Sequence, residues 1–307
     1  MSRCLPPPDF AIVGAPKCGT TALYTYLSAH PAIAMSTGKE PCYWSTDVPR
    51  SWRFTDRAKY DALWAGAAPD ALRGEASTTY FESLVAIPRL LDARPDARLI
   101  AMIRNPLEMA VSRHADLVFV AQEEVTDLEA AWRLQEVRRR GHRVPAGCTD
   151  PDVLQYRQIL MIGDQLERFV RVVPPAQRLV IVHDDFRRDT RAQYLRTLQF
   201  LGVEDDGRTD FTPVHTRRDI SSLGAFRNGL KRQLGPFYAP LRRAARAVGA
   251  NRWRSVRRYA ERPAQRKRIR PAFEEELIAE FLPQIEKVER LLQRDLPSWK
   301  RPRSDVA

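Results

Sequence analysis

GAPKCGTTAL (Gly14 to Leu23) follows directly on the short apolar run FAIV (Phe10 to Val13). Gly14 and Gly19 have the spacing of the phosphate loop G-x-x-x-x-G-K-[ST], whose backbone N–H groups cradle a phosphate. The lysine is displaced: Thr20 fills its slot and Lys17 stands inside the turn. A glycine-containing turn between a strand and a helix is suited to an oxyanion, because the backbone approaches closely and the first-turn N–H groups point outward. The amides of Cys18, Gly19, Thr20 and Thr21 are the expected donors, with two threonine hydroxyls beside them. A bare G-x-x-x-x-G would read as a plain turn. Lys17, the paired threonines and the flanking strand and helix shift the reading to a binding loop. In a nucleoside triphosphatase the lysine serves the β- and γ-phosphates and the Ser/Thr holds Mg²⁺. A lysine inside the turn instead suits one phosphate bearing a transferable group, with no metal.

Working outward, Phe10–Gly14 reads as a buried strand and Thr20–His30 as an amphipathic helix, with Leu23, Tyr26 and Leu27 on one face. His30 precedes Pro31, which ends the helix. Leu72–Ser77 reads as a second strand, followed by a helix over Ser83–Ala93. RLIAMI (Arg98 to Ile103) is the clearest buried strand. Asn105 and Pro106 then supply an N-cap and an N1 proline for a helix over Leu107–Val120. Helices over Leu128–Arg139 and Val153–Val172, a strand over Arg178–His183 and a helix over Thr190–Leu201 complete the alternation, which Gly202 closes. Alternating strands and helices predict an α/β fold: a P-loop-type three-layer αβα arrangement around a central parallel sheet. Asp205–Arg218 reads as a loop, followed by broken basic helices. A last helix lies within FEEELIAEFLPQIEKVERLLQRDL. We expect one domain over 1–307: a core at 8–204, a basic loop and helical segment at 205–270, and a C-terminal helix at 271–307 packing on the core.

The chain has 307 residues, enough for a substantial core, and its 44% hydrophobic and 29% charged residues are ordinary for a globular protein. No apolar stretch reaches membrane-spanning length, and MSRCLPPPDF has no apolar signal core. The four cysteines show no pairing pattern and no metal-ligand spacing with the five histidines. A cytoplasmic, reducing compartment is the expectation. The net charge of +12 suits a nucleic acid, an acidic lipid surface or an anionic small substrate, or simple solubility. It concentrates between Arg217 and Arg270, and no nucleic-acid module accompanies it.

A second constellation is RLIAMIRNPLEMAVSRH. It puts Arg104 at the C-terminal end of a strand and Ser112 on the next helix, where a guanidinium and a hydroxyl can converge on a phosphate. The competing reading pairs Arg104 with Glu108 and turns Ser112 to a neighbouring helix. HDD (His183 to Asp185) reads as a strand terminus with solvated carboxylates.

Together these segments resemble the sulfotransferase superfamily that uses 3′-phosphoadenosine 5′-phosphosulfate (PAPS). GAPKCGTTAL is similar to its 5′-phosphosulfate loop and RNPLEMAVSRH to its 3′-phosphate motif. HPAIAMSTGKEPCYW is similar to a segment of carbohydrate and heparan-type members that ends in Lys-Glu and aromatics, here Lys39, Glu40, Tyr43 and Trp44. GEASTTYF (Gly74 to Phe81) resembles the segment lining the acceptor side. QLERFVRVVPPAQRLVIVHDDFRRDT, FLGV and the closing LLQRDLPSW extend the likeness over most of the chain. Three positions depart. Ala76 stands where heparan-type members carry lysine, Ile162 falls where they often place tyrosine, and no Lys-Gly-Arg lid is plain, VHTRRDISS (Val214 to Ser222) being the best substitute.

The resemblance implies sulfuryl transfer from PAPS, without a metal, to a hydroxyl or amine of a carbohydrate, glycolipid or other small metabolite. It implies a donor site of Lys17, Cys18, Gly19, Thr20, Thr21, Arg104 and Ser112, with Arg217 and Arg218 closing over the nucleotide. Glu40 is the implied general base, and Lys17 meets charge developing on the leaving phosphate. Lys39, Tyr43, Glu75 and Tyr80 fall on the acceptor side. Read without the resemblance, Glu40 is an exposed acid beside Lys39 at a turn, and the aromatics are core. A small-molecule kinase with a degenerate loop, and a basic nucleic-acid or membrane-surface binder on an inert scaffold, are the competing functions. The basic C-terminal third could also rest on acidic lipid.

Overall fold

The computed structural model describes residues 6–212 and 269–302. These fall into two compact units. The first comprises 6–109, 161–212 and 278–302, and the second 110–160 and 269–277.

The first unit is built on five parallel strands: β1 (Phe10–Gly14), β2 (Ile33–Met35), β3 (Leu72–Ala76), β4 (Arg98–Ile103) and β5 (Arg178–Val182). Their order is β2-β3-β1-β4-β5, with β1 central. Every residue of β1 is buried and only Arg98 of β4 is partly open. Such continuous apolar runs are what a parallel sheet covered on both faces requires. β2 was not expected as a strand, because three residues carry too little period to stand out from the loop around them. The register of β1 on β4 slips between Ile12 and Gly14. This bulge lies at the strand's last residues and re-aims the chain as it enters the loop.

Helices cover the connections. α1 (Thr20–Leu27) follows β1 and ends sooner than the expected His30, with Ser28 as its C-cap. After β3 the chain makes α3 (Thr79–Glu82) and α4 (Ala86–Ala93), the first of which was not anticipated; α2 (Arg57–Asp61) lies in the long β2–β3 connection. Asn105 opens α5 (Pro106–Phe119) as its expected cap, its Oδ1 accepting from Leu107 N at 2.9 Å. α9 (Ile162–Val172) precedes β5, and α10 (His183–Arg188) and α11 (Thr190–Leu201) follow it. Gly202, at φ +69°, ends α11 in the left-handed conformation that glycine adopts at low cost. α12 (Pro271–Leu292) is the C-terminal helix. In the first unit its residue Gln284 caps α9: Gln284 Oε1 accepts from Asp164 N at 3.0 Å, and Lys287 bridges Asp164 and Glu167.

In the second unit the expected helix over 128–139 is broken into α6 (Leu128–Arg133) and α7 (Gln135–Arg139). The expected helix over 153–172 becomes a 3₁₀ turn (Pro151–Leu154), α8 (Tyr156–Ile159) and then α9. Side chains replace the missing backbone bonds. Gln135 Oε1 accepts from Arg157 N at 2.7 Å, and Gln155 Nε2 donates to Gln135 O at 3.1 Å. The unit's core holds Glu123, paired twice with Arg138 (2.6 and 2.7 Å) and hydrogen-bonded by Tyr156 (2.9 Å).

Val214–Ser222, Arg217, Arg218 and nearly all of the basic 205–270 segment beyond residue 212 lie outside the described residues.

Candidate active site

β1 delivers the loop to the C-terminal edge of the sheet, the edge at which open α/β sheets bind ligands. Gly14 is required there by space: a Cβ would sit 2.4 Å from the Phe81 Cβ and 3.3 Å from the Thr78 carbonyl oxygen. Ala15 N then donates to Met102 O at 2.6 Å, tying the loop to β4. Lys17 (φ +66°) and Gly19 (φ +92°) are both left-handed. Alternation of this kind turns successive N–H groups toward one concavity, an anion nest. Gly19 is the N-cap of α1, no side chain caps that terminus, and no acid stands in its first turn. Thr20 and Cys18 are buried, and Lys17, Gly19 and Thr21 are half-buried. Burial pushes the Cys18 thiol up to about 12, against the nearby Arg104, so it stays a neutral thiol. Its contribution is therefore its backbone amide.

Arg104 stands at the end of β4 and is almost fully buried. Its Nη1 donates to the Lys17 carbonyl at 3.0 Å, so residues 17 and 104 meet directly. Its Nε and Nη2 are on Glu108, with Nε at 2.9 Å. Arg104 thus makes the pair with Glu108 that the competing reading expected, and it also buttresses the loop through the Lys17 carbonyl. Ser112 is half-buried on α5 and belongs to the second unit. His183, the first residue of α10, lies on the loop's other side. Its Cδ2 would be 3.3 Å from a Cβ at position 19. Burial holds its pKa below the usual value, with Arg104 acting in the same direction. Asp184 accepts from Trp299 Nε1 at 2.7 Å, and Asp185 pairs with Arg294 and Arg188. These two carboxylates therefore hold structure together in the first turn of α10, rather than standing solvated at a strand terminus.

Glu40 approaches the same edge from β2. Its backbone N–H donates to Ala76 O at 2.8 Å, laying the segment along the end of β3. Its carboxylate accepts from Thr78 N (2.8 Å), Thr78 Oγ1 (3.1 Å) and Lys39 Nζ (2.6 Å). Thr78 is thus shared: its amide and hydroxyl hold Glu40 while its carbonyl packs on Gly14 at the loop entrance. A carboxylate offers about four lone-pair positions; these donors take three, and the Cys42 thiol stands 3.9 Å from Oε2 as a weak further donor.

Behind Glu40 lies an aromatic cluster. Half-exposed Tyr43 stacks on Tyr60 with ring centres 4.3 Å apart, and Trp44 meets both edge-on. Trp44 Nε1 donates to the Tyr60 hydroxyl (3.0 Å), which donates to Glu75 Oε2 (2.6 Å). Glu75 and Tyr80 are both fully buried. Lys39 and Tyr43, by contrast, are partly exposed. Burial raises the Glu75 pKa to about 7, eased by hydrogen bonds from Tyr60 and Tyr80 and reinforced by the charge of Glu40.

Sequence reasoning missed Thr78, Tyr60 and the packing of His183 on Gly19. Thr78 lay within a quoted segment but gave no spacing signal of its own. Tyr60 is sixteen residues from Trp44 and fifteen from Glu75, and joins them only through α2.

Comparison with known proteins bears on the same segments. The model of the sulfotransferase domain matches residues 7–218. The chain is 32% identical over 111 residues to the membrane-associated sulfotransferase kil1 of Dictyostelium discoideum, covering 36% of this chain and 23% of that protein. It is 28% identical over 204 residues to mouse heparan sulfate glucosamine 3-O-sulfotransferase 6, covering 64% of this chain and 53% of that protein. The chain thus spans about half the length, or less, of these relatives. Among solved structures, a sulfotransferase from Alicyclobacillus acidocaldarius superposes with a TM-score of 0.71 at 27% identity, over 96% of this chain and 99% of that one. Among the described residues no helix is long and apolar enough to cross a membrane. With the family model spanning the phosphate loop, Glu40, Glu75 and Arg104 alike, the chain belongs to the sulfotransferase domain family.

Proposed function

We propose that the chain transfers the sulfuryl group of PAPS to a hydroxyl of a carbohydrate or similar small acceptor, with Glu40 as general base. One observation carries the reading: Thr78 joins the anion loop to the Glu40 carboxylate, so an anion cradle and a base share one edge of the sheet. The names of the curated relatives, which include heparan sulfate glucosamine and other carbohydrate sulfotransferases, support a sugar acceptor.

In this mechanism the 5′-phosphosulfate lies on the amides of Cys18, Gly19, Thr20 and Thr21. Arg104 serves the 3′-phosphate. The acceptor oxygen attacks sulfur in line, its proton passes to the Glu40 carboxylate, and the S–O bond to the 5′-phosphate breaks. Negative charge then gathers on the departing phosphate oxygen, where Lys17 and the loop amides stabilise it as it develops. Lys39 pairs with the Glu40 carboxylate at 2.6 Å, and Tyr43 offers an aromatic face to the acceptor.

Titration calorimetry with adenosine 3′,5′-bisphosphate is the test. Binding without Mg²⁺, lost in Lys17→Ala, and no response to Mg-ATP are the expected results. Binding of Mg-ATP in its place would overturn the donor assignment. Glu40→Gln is expected to keep nucleotide affinity while turnover falls about 10²–10⁴-fold, the usual cost of losing a general base. Unchanged turnover would remove Glu40 from that role.

A further inference from the structure

Glu40 stands in a strained stretch of backbone. Its φ is +64° and that of Cys42 is +53°, with Pro41 between them. The left-handed region is unfavourable for any residue with a side chain and persists only where the surroundings enforce it. Here the end of β3 and the turn after it do so: five consecutive residues, Ala76 to Tyr80, each hydrogen-bond the segment 40–45. Ala76 O accepts from Glu40 N at 2.8 Å, and Ser77 Oγ accepts from Cys42 N at 3.0 Å. Thr78 holds the Glu40 carboxylate through its amide and hydroxyl. Thr79 Oγ1 meets Ser45 Oγ at 2.9 Å, and Ser45 Oγ donates to the Cys42 carbonyl at 3.0 Å. The Trp44 N–H reaches the Tyr80 hydroxyl at 3.4 Å. The grip stops at Glu75, whose Oε2 accepts from Tyr60 and whose Oε1 has no hydrogen-bond partner among the described residues.

Among these contacts the one from Ser77 bears most directly on the strain. Proline has no N–H, so the Cys42 amide is the first after Glu40 that a partner can hold. Ser77 is itself fixed. It is fully buried, its amide donates to Ile12 O of β1 at 3.1 Å, and its carbonyl accepts from Tyr80 N at 3.2 Å. Ile12 is where the register of β1 slips as the strand runs into the anion loop. Ser77 therefore ties the backbone of the Glu40 segment to the strand that carries the loop, whereas Thr78 acts on the carboxylate. We propose that Ser77 is a positioning residue for sulfuryl transfer: by holding the Cys42 amide, its hydroxyl keeps Glu40 and Cys42 left-handed and so sets the direction of the Glu40 carboxylate. The proposal rests on Glu40 being the base, and it gives buried Ser77 no contact with substrate. Without the hydroxyl, the Cys42 N–H is left buried and unmet. Rotation at Cys42 out of the left-handed region relieves both the strain and the lost bond. Pro41, with its own φ fixed by the ring, passes that rotation on to Glu40.

The test is a double-mutant cycle on the full chain, read by PAPS turnover with water as acceptor. Ser77→Ala is expected to lower kcat about 10–100-fold, the cost of misplacing a reacting group by about 1 Å. KM for PAPS and affinity for adenosine 3′,5′-bisphosphate should hold, since the anion loop keeps its own bonds. In the Glu40→Gln background the same substitution should cost less than about twofold, because no base is left to position. An equal loss in both backgrounds, or no loss in the first, overturns the proposal. Residue-resolved amide exchange gives a readout free of the chemistry. The Cys42 N–H should exchange about tenfold faster in Ser77→Ala, and unchanged protection likewise overturns the proposal. Should Ser77→Ala fail to fold, Ser77→Cys, which keeps a weak acceptor in the same place, carries both comparisons with smaller effects. Failure of the base assignment shows separately, as normal turnover by Glu40→Gln with Cys42 exchange still quickened by Ser77→Ala.

Discussion

A methyl group at position 14 would fall 2.4 Å from the Phe81 Cβ, closer than two carbons can approach. Gly14→Ala must displace either Phe81, which packs on Phe169 at 5.8 Å, or the loop that begins at the next residue. Overpacking of this kind costs about 1–3 kcal/mol. The variant should therefore show a lowered denaturant midpoint and weakened adenosine 3′,5′-bisphosphate binding; unchanged values for both would mean that the entrance tolerates bulk. Thr78 separates the two halves of the site at the same scale. Thr78→Val keeps the backbone N–H to Glu40 and deletes only the hydroxyl. A hydrogen bond to a charged group contributes about 1.5–3 kcal/mol. Turnover should fall about 10-fold or more while nucleotide affinity holds, and a loss of nucleotide affinity instead would place Thr78 on the donor side. Lys17, Arg104 and Glu40 were legible in the sequence because each stands in a motif of short span. Tyr60 was not, since its hydrogen bond to Glu75 spans fifteen residues and depends on how α2 folds back.

At the scale of elements, β1, β3, β4 and β5 were legible because buried parallel strands write continuous apolar runs. β2 was hidden by its length. The break between the Pro151–Leu154 turn and α8 was hidden for another reason: apolar spacing continues through it, and the bonds that compensate come from Gln135, about twenty residues earlier. Helical period reports which face is buried, not whether each backbone group finds its partner within the helix. The contact of α9 with α12 in the first unit depends on Gly163. A Cβ there would meet the Gln284 carbonyl oxygen at 2.6 Å and its Oε1 at 2.8 Å. Gly163→Ala removes no helix propensity, since alanine is the better helix former. It should nonetheless destabilise by about 1–3 kcal/mol by forcing Gln284 off the α9 terminus. Equal or greater stability in a denaturant melt would show that the two helices separate freely.

At the scale of the molecule, the family match and the sheet account for the first unit's topology, and two buried carboxyls set its response to pH against that of the second unit. Burial raises the pKa of Glu123 but is outweighed by Arg138, the Val125 N–H and Tyr156, so its pKa lies below the usual 4.5. Its stabilisation is present above the unfolded value and is lost as pH falls through the depressed folded value. Glu75 has the opposite sign. Its folded pKa of about 7 exceeds the ordinary 4.5, so the native chain holds a proton that the unfolded chain releases. Its contribution is complete below about pH 4.5 and disappears as pH rises through 7. One pH unit of such linkage is worth about 1.4 kcal/mol, so this group should account for roughly 2–3 kcal/mol of stability lost between pH 5 and 8. Glutamine cannot titrate. Urea melts at pH 5 and pH 8 should therefore show wild type losing more stability than Glu75→Gln over that interval. Equal losses would mean that Glu75 ionises in the native protein as it does in the unfolded chain, and that the unpartnered Oε1 is solvated after all.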